Sequence, residues 1–78
     1  MKLSELPPFQ SGIIHGFSAQ LPELHRERLR ELGFCEGLSV ELVRPIPFGG
    51  PNVFRVADAI FSVDPSVSEN VLVETENA

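Results

Sequence analysis

Four side chains in this 78-residue sequence have the chemistry of transition-metal ligands: His15, His25, Cys35 and Glu36. Imidazole, thiolate and carboxylate groups all bind such metals. Their spacing contains neither a Cys-x-x-Cys pair nor a His-x-x-x-His pair, so it does not resemble a dedicated metal-binding motif. The favoured interpretation places both histidines on the surface and Cys35 in a small apolar corner. A metal site formed by these four residues is the alternative.

Nucleophilic catalysis would need Cys35 or a serine beside a general base, with a third group to orient that base. No histidine neighbours Cys35 in the sequence, and His15 and His25 approach it only through folding. No glycine-rich segment follows a strand and opens a helix, so nucleotide binding is not expected. We therefore predict that the chain is not an enzyme.

Binding to another protein is the function that the segment 45–51 favours. Its three prolines exclude a helix or a central strand and leave a stiff loop, which loses little entropy on docking. Phe48 lies between Pro47 and Gly49, where few neighbours can cover it, so we predict an aromatic anchor. An equally weighted alternative is that Phe48 folds back and covers one end of the domain.

Charged residues of the predicted helix supply a candidate polar rim for such an interface, from Arg26, Glu27 and Arg30. The same helix offers a local basic patch for nucleic acid, at Arg26, Arg28 and Arg30. Because Glu23, Glu27 and Glu31 alternate with these arginines, a solvated helix face with ion pairs is favoured over such a patch. Ile60 would extend an apolar patch if it points outward, although a single surface isoleucine needs no function.

The elements that position these residues begin with one helix, predicted to open at 20–22 and to end at Leu32-Gly33. Its expected buried stripe consists of Leu24, Leu29 and Leu32. Arg28 lies on the same side, where a role as a structural anchor is favoured over a role as a partner contact. Gly37 then directs the chain into an alternating strand at 38–44.

Four further strands are predicted at 13–17, 53–56, 59–63 and 71–73. Gly16 is expected to seat either a bulge or a close backbone approach, and Ala57-Asp58 a tight turn. In the fourth of the five strands, Ala59, Phe61 and Val63 should face inward. Residues 1–8 are interpreted as a lead-in, 64–66 as a single helical turn and 74–78 as a fraying polar tail. Five short strands usually close into a small barrel, which removes exposed sheet edges.

The amino-acid composition limits which other classes of protein this chain can belong to. A chain of 78 residues with 42% hydrophobic residues forms one domain with a small core. Its net charge of −5 disfavours binding to nucleic acid or to an anionic membrane surface. A single cysteine, no signal-like segment and no apolar run of membrane-spanning length lead us to expect a cytoplasmic protein.

The sequence resembles the FeoA family of small bacterial proteins of ferrous iron uptake over residues 12–74. The resemblance lies in Arg28-Leu29-x-x-Leu32-Gly33-Phe34-x-x-Gly37, an alternating strand, and Pro47-Phe48-Gly49-Gly50-Pro51, followed by Ser68-x-x-Val71-x-Val73. The chain departs from many members in its acidity and in lacking a glycine at Ala57-Asp58.

This resemblance implies a mostly β fold: a small five-stranded Src-homology-3-like β-barrel with one α-helix inserted after the first strand. It also implies a single FeoA-like domain at 1–78, with its core at about 10–74, and a structural role for Arg28, Leu29, Leu32, Gly33, Gly37, Gly50 and Pro51.

The function implied is that of a non-enzymatic accessory protein that docks on the cytoplasmic part of the membrane transporter FeoB, so that it reaches the membrane only through this partner. Two alternatives remain. One is a sensor or chaperone that weakly binds Fe(II) or another transition metal. The other is a regulatory domain like that of iron-dependent repressors. No cofactor is firmly implied.

Overall fold

The computed structural model describes residues 1–75, and the last three residues of the predicted tail lie outside this range. A short 3-10 turn, Leu3–Glu5, precedes five strands and two helices. In chain order these are β1 (Ser11–Phe17), α1 (Glu23–Leu32), β2 (Ser39–Arg44), β3 (Asn52–Val56), β4 (Ala59–Val63), α2 (Pro65–Ser68) and β5 (Val71–Thr75). The predicted fold class, a mostly β domain with a helix inserted after the first strand, is confirmed.

The five strands form one antiparallel sheet in the order β4-β3-β2-β1-β5. Among residues 1–75, β4 and β5 do not pair, so the expected closure of the barrel by strand pairing is wrong. The physical reason is that the N-terminal segment occupies the outer edge of β5. The Val73 N–H donates to the Met1 carbonyl at 2.8 Å, and Lys2 forms a bridge with Leu72.

One hydrophobic core nevertheless receives side chains from all five strands. Phe34, from the corner between α1 and β2, lies at its centre and packs edge-on against Phe61 with ring centroids 4.8 Å apart. Leu3 and Leu6 are also buried in this core. The segment interpreted as a lead-in therefore contributes two side chains to the packed interior.

Helix α1 ends as predicted, because Gly33 adopts a left-handed conformation with φ of 117° and its N–H donates to the Leu29 and Arg30 carbonyls. The predicted buried stripe is wrong in two of its three positions. Leu24 is 64% exposed and Leu32 is 60% exposed, and Leu29 alone packs against the core. The helix thus contacts the sheet through a narrow line of side chains.

The observed strands agree with the predicted ones in some details and differ from them in others. The register of β1 against β5 shifts between Ile14 and Gly16, which confirms the bulge at Gly16. In β4, Val63 is buried and Phe61 packs against the core, but Ala59 is exposed because it adjoins the turn at the sheet end. The strand predicted at 71–73 continues through Thr75, where it pairs with Gly12 of β1. The first two residues of the predicted fraying tail are thus part of the sheet.

Candidate partner-binding site

The loop 45–51 connects β2 to β3 and is held at its base by two contacts. The Ile46 N–H donates to Oδ1 of Asn52 at 2.8 Å, which spans the mouth of the loop. Gly50 lies so close to Ile46 that a Cβ on Gly50 would come within 2.6 Å of Cγ2 of that side chain. The loop is therefore ordered by side-chain and backbone packing in addition to its prolines.

Phe48 projects from the tip of this loop and is fully exposed. The alternative in which it covers one end of the domain is therefore wrong. Its backbone has φ of 63°, a left-handed conformation that is rare for bulky residues and costs about 1–3 kcal/mol. A large apolar side chain thus occupies a strained and solvent-exposed position, where a glycine would relieve the strain.

Phe9 has the same two properties and was missed by the sequence analysis. It is 72% exposed and has φ of 64°. Its N–H donates to the Leu42 carbonyl at 2.8 Å, which fixes it beside the final residues of β2. The signal that would have found it is the Pro-Phe dipeptide, which occurs at Pro8-Phe9 and again at Pro47-Phe48.

Phe9 and Phe48 lie at the same end of the sheet. Phe9 precedes β1, Phe48 follows β2, and these two strands run antiparallel. Neither 6–14 nor 45–54 contains an Asp, Glu, Lys or Arg residue, although the chain carries a net charge of −5. We name this surface, formed by Phe9 and the loop 45–51, the aromatic end. Its chemistry suits an apolar and uncharged partner surface.

Arg30, which is predicted to belong to a polar rim, is bonded to the corner that follows the helix. Its Nη2 lies 3.0 Å from Oε2 of Glu36, its Nε donates to Oε1 of Glu36, and its guanidinium lies 5.3 Å from the ring centroid of Phe17. The hydrogen bond from Arg30 lowers the pKa of Glu36, and the same bond raises the pKa of Arg30. Arg30 thus connects α1, β1 and the corner.

Two further predicted interface residues, Arg26 and Ile60, lie outside the loop 45–51. Arg26 is half-buried on α1, and Ile60 is 59% exposed on β4, which confirms that it points outward. The corner with Arg30 precedes β2 and the loop with Phe48 follows it, so six strand residues, or about 17 Å, separate the two. Of the six predicted interface residues, only Pro47, Phe48 and Gly49 belong to the aromatic end.

The four candidate metal ligands are not gathered into one cluster within the described residues. Within residues 1–75, no group of three or more His, Cys, Asp or Glu side chains is arranged to hold a metal ion. His15 is exposed on β1 and His25 is exposed on α1. Cys35 is half-buried, and its Sγ contacts the Arg30 carbonyl at 3.5 Å, while Glu36 pairs with Arg30.

Arg28, expected to be a structural anchor, is exposed on α1. It lines a shallow apolar cavity of about 150 Å³ with His25, Leu29 and Val67. Among the described residues it makes no ion pair.

This fold and these motifs define an Src-homology-3-like domain of a particular family. The FeoA domain matches residues 1–75, and the chain therefore belongs to the FeoA family, which is associated with ferrous iron transport. A search among curated proteins finds no significant match.

Two solved structures are similar in both sequence and fold. The FeoA of Stenotrophomonas maltophilia is 33% identical, with a TM-score of 0.82, over 95% of this chain and 89% of that one. It was solved with zinc, is called a procaryotic SH3 domain protein, and has been suggested to act as a ferrous iron transport activating factor. Iron(II) transport protein A of Clostridium thermocellum is 31% identical, with a TM-score of 0.84, over 96% of this chain and 45% of that one.

A manganese-dependent transcriptional repressor shares the fold alone. It is 13% identical, with a TM-score of 0.84, over 97% of this chain and 41% of that one. In the part of the chain that the structure covers, no helix is long and apolar enough to cross a membrane.

Proposed function

We propose that this protein is a non-enzymatic accessory factor of bacterial ferrous iron uptake that docks on the cytoplasmic part of the FeoB transporter. Membership of the FeoA family and the activating role suggested for the Stenotrophomonas maltophilia relative support the transport context. The single observation that carries the docking mode is the aromatic end. There, a fully exposed phenylalanine is held in a strained conformation on an ordered loop.

The aromatic end is suited to docking for two physical reasons. Its backbone is already fixed by the Ile46–Asn52 hydrogen bond and by close packing at Gly50, so little conformational entropy remains to be lost. Burial of an aromatic ring in a partner pocket removes a large apolar area from water, and such rings often dominate the binding energy. Phe9 and the loop 45–51 carry no charged side chain, so the contribution of these residues to binding should depend only weakly on salt.

The experiment is calorimetric titration of the protein with the isolated cytoplasmic domain of the transporter. We expect Phe48→Asp to weaken binding at least tenfold, and Phe9→Ser to weaken it by a smaller factor, because each removes an apolar anchor. Leu24→Asp is the matched control, since it places the same charge on an exposed apolar position of α1.

Phe48→Gly separates binding from folding. Glycine removes the ring and relieves the positive φ, so the variant should keep the free energy of unfolding within about 1 kcal/mol of the parent while losing affinity. Unchanged affinity in both Phe48 variants, or no binding by the parent protein, would contradict the proposal.

A further inference from the structure

The outer edge of β4 is the free edge of the sheet within residues 1–75. On the opposite side of the sheet, the edge of β5 is covered by the N-terminal segment through Val73 and Leu72. Among the residues that the structure describes, no such cover is present along β4, which pairs only with β3. An open edge of this kind presents unpaired backbone donors and acceptors that another extended chain can use.

The register identifies which groups are unpaired. Val56 and Ala59 flank the two-residue turn at Ala57-Asp58, so this pair exchanges hydrogen bonds across the β3–β4 hairpin. From this pair onward along the hairpin, hydrogen-bonded and non-hydrogen-bonded residue pairs alternate, so the pairs Arg55–Ile60 and Val53–Ser62 are not hydrogen-bonded. Ile60 and Ser62 consequently direct their N–H and carbonyl groups outward, away from β3. The free edge offers two donors and two acceptors at the spacing of an antiparallel ladder.

A cavity lined mainly by apolar side chains lies directly beside this edge. It has a volume of about 140 Å³, and its lining includes Leu32 of α1, Phe61 of β4 and Val67 of α2, together with the polar Ser62 and Asp64. A strand added to β4 would place one of its inward-facing side chains over this cavity, where a small aliphatic group fits. Such an addition would also cover Leu32, which is 60% exposed in the free protein.

The charges around the edge decide what can bind there. β4 itself is uncharged, but Asp58 precedes it and Asp64 follows it, and both are exposed. A second copy of this chain, paired symmetrically along all five residues of β4, would place Asp58 of each copy opposite Asp64 of the other. Like charges directly opposite one another destabilise a strand pair. The edge is therefore complementary to a strand with basic residues at both ends.

We propose that β4 is a strand-addition site for an extended apolar segment of a partner protein, about five residues long and flanked by Lys or Arg. In this mode the backbone ladder supplies affinity, while the cavity and the two aspartates supply specificity. The site is separate from the aromatic end, so the proposal does not depend on docking through Phe48.

The test uses two capped synthetic peptides, Lys-Val-Thr-Val-Thr-Val-Lys and the same sequence with Glu at both ends, added to ¹⁵N-labelled protein. We expect the Lys-flanked peptide to shift the amide signals of Ile60 and Ser62 in a saturable manner. Hydrogen exchange at these two amides should slow at least tenfold. The Glu-flanked peptide should bind at least tenfold more weakly.

Three variants sharpen the test. Ser62→Pro removes an outward N–H and should abolish binding, whereas Ser62→Thr retains that N–H and should bind normally. The double variant Asp58→Lys/Asp64→Lys should reverse the preference, so that the Glu-flanked peptide binds more tightly. It tests the proposal independently if Ser62→Pro fails to fold.

Equal binding of the two peptides, shifts confined to other elements, or self-association of the free protein through β4 would overturn the proposal. Phe48→Asp should leave peptide binding unchanged, which distinguishes this site from the transporter interface.

Discussion

At the scale of single residues, the most informative side chains are those that occupy unfavourable or unexpected positions. Phe9 and Phe48 combine exposure with positive φ, a combination that adds no stability to the isolated domain. Arg30 shows the opposite behaviour. This residue, a candidate for the polar rim of an interface, is engaged by Glu36 and by the ring of Phe17. Its role is to join the helix to the corner before β2.

The pKa of Glu36 reflects its interaction with Arg30. It is held below its ordinary value, chiefly by the hydrogen bond from Arg30. The ion pair between Arg30 and Glu36 therefore stabilises the folded protein fully at pH values above the pKa that Glu36 has in the unfolded chain. This stabilisation is lost as the pH falls through the lower pKa of Glu36 in the folded state. Because both side chains are largely exposed, the effect on stability should be small.

We expect Arg30→Met to raise the pKa of Glu36 toward its ordinary value, as followed by ¹³C NMR titration of the carboxyl group. Thermal unfolding between pH 6 and pH 3 should then depend slightly less on pH than in the parent. Glu31→Gln is the control, since this glutamate is exposed on the same helix and forms no ion pair in the described structure. An unchanged titration of Glu36 in Arg30→Met would exclude the ion pair.

At the scale of elements, the loop 45–51 depends on one close contact. Gly50 approaches Ile46 more closely than any residue with a Cβ tolerates, and the Ile46 N–H is committed to Asn52. The requirement for glycine at this position is therefore steric, because Gly50 does not adopt a positive φ. The contact sets the path of the loop and hence the direction in which Phe48 projects.

Gly50→Ala should therefore destabilise the protein by about 1–3 kcal/mol, as measured by urea unfolding, because the new methyl group collides with Cγ2 of Ile46. In an Ile46→Ala background, where Cγ2 is absent, the same substitution should cost clearly less. Gly16→Ala provides the matched control, since a Cβ there meets no atom within 4 Å and should leave stability nearly unchanged. Similar losses for Gly50→Ala and Gly16→Ala would contradict the steric explanation.

At the scale of the whole molecule, the N-terminal segment determines which sheet edge remains open. Leu3 and Leu6 are buried with the strand side chains, and Met1 and Lys2 pair along β5. The segment thus takes the place that β4 would need in order to close the barrel through hydrogen bonds. One edge of the sheet is covered by the chain itself, and β4 remains available.

Leu3→Ala tests whether this segment folds with the rest of the domain. Leu3 is completely buried, so its truncation should cost about 2–5 kcal/mol in the free energy of unfolding, with a single cooperative transition. Leu24→Ala, at an exposed leucine of α1, should change that free energy by no more than about 0.5 kcal/mol. A loss below 0.5 kcal/mol for Leu3→Ala would show that the segment contributes little to the folded domain.

The sequence by itself determined the features that depend on local backbone preference and on side-chain alternation. Gly33 ends the helix, the prolines of 45–51 exclude regular structure, Gly16 marks the bulge, and the alternation along 59–63 directs Ile60 outward. These features are set by allowed φ/ψ regions and by the two-residue period of a strand, so neighbouring residues suffice to predict them.

Only the tertiary structure decided which apolar side chains are covered. Leu24, Leu29 and Leu32 have helical spacing, yet of these three only Leu29 packs against the core, because the position of α1 relative to the sheet determines which of them is covered. The exposure of Phe48, the partial match of the predicted interface to the aromatic end, and the open edge of β4 have the same origin. Burial depends on where distant segments come to lie, and no local pattern in the sequence contains that information.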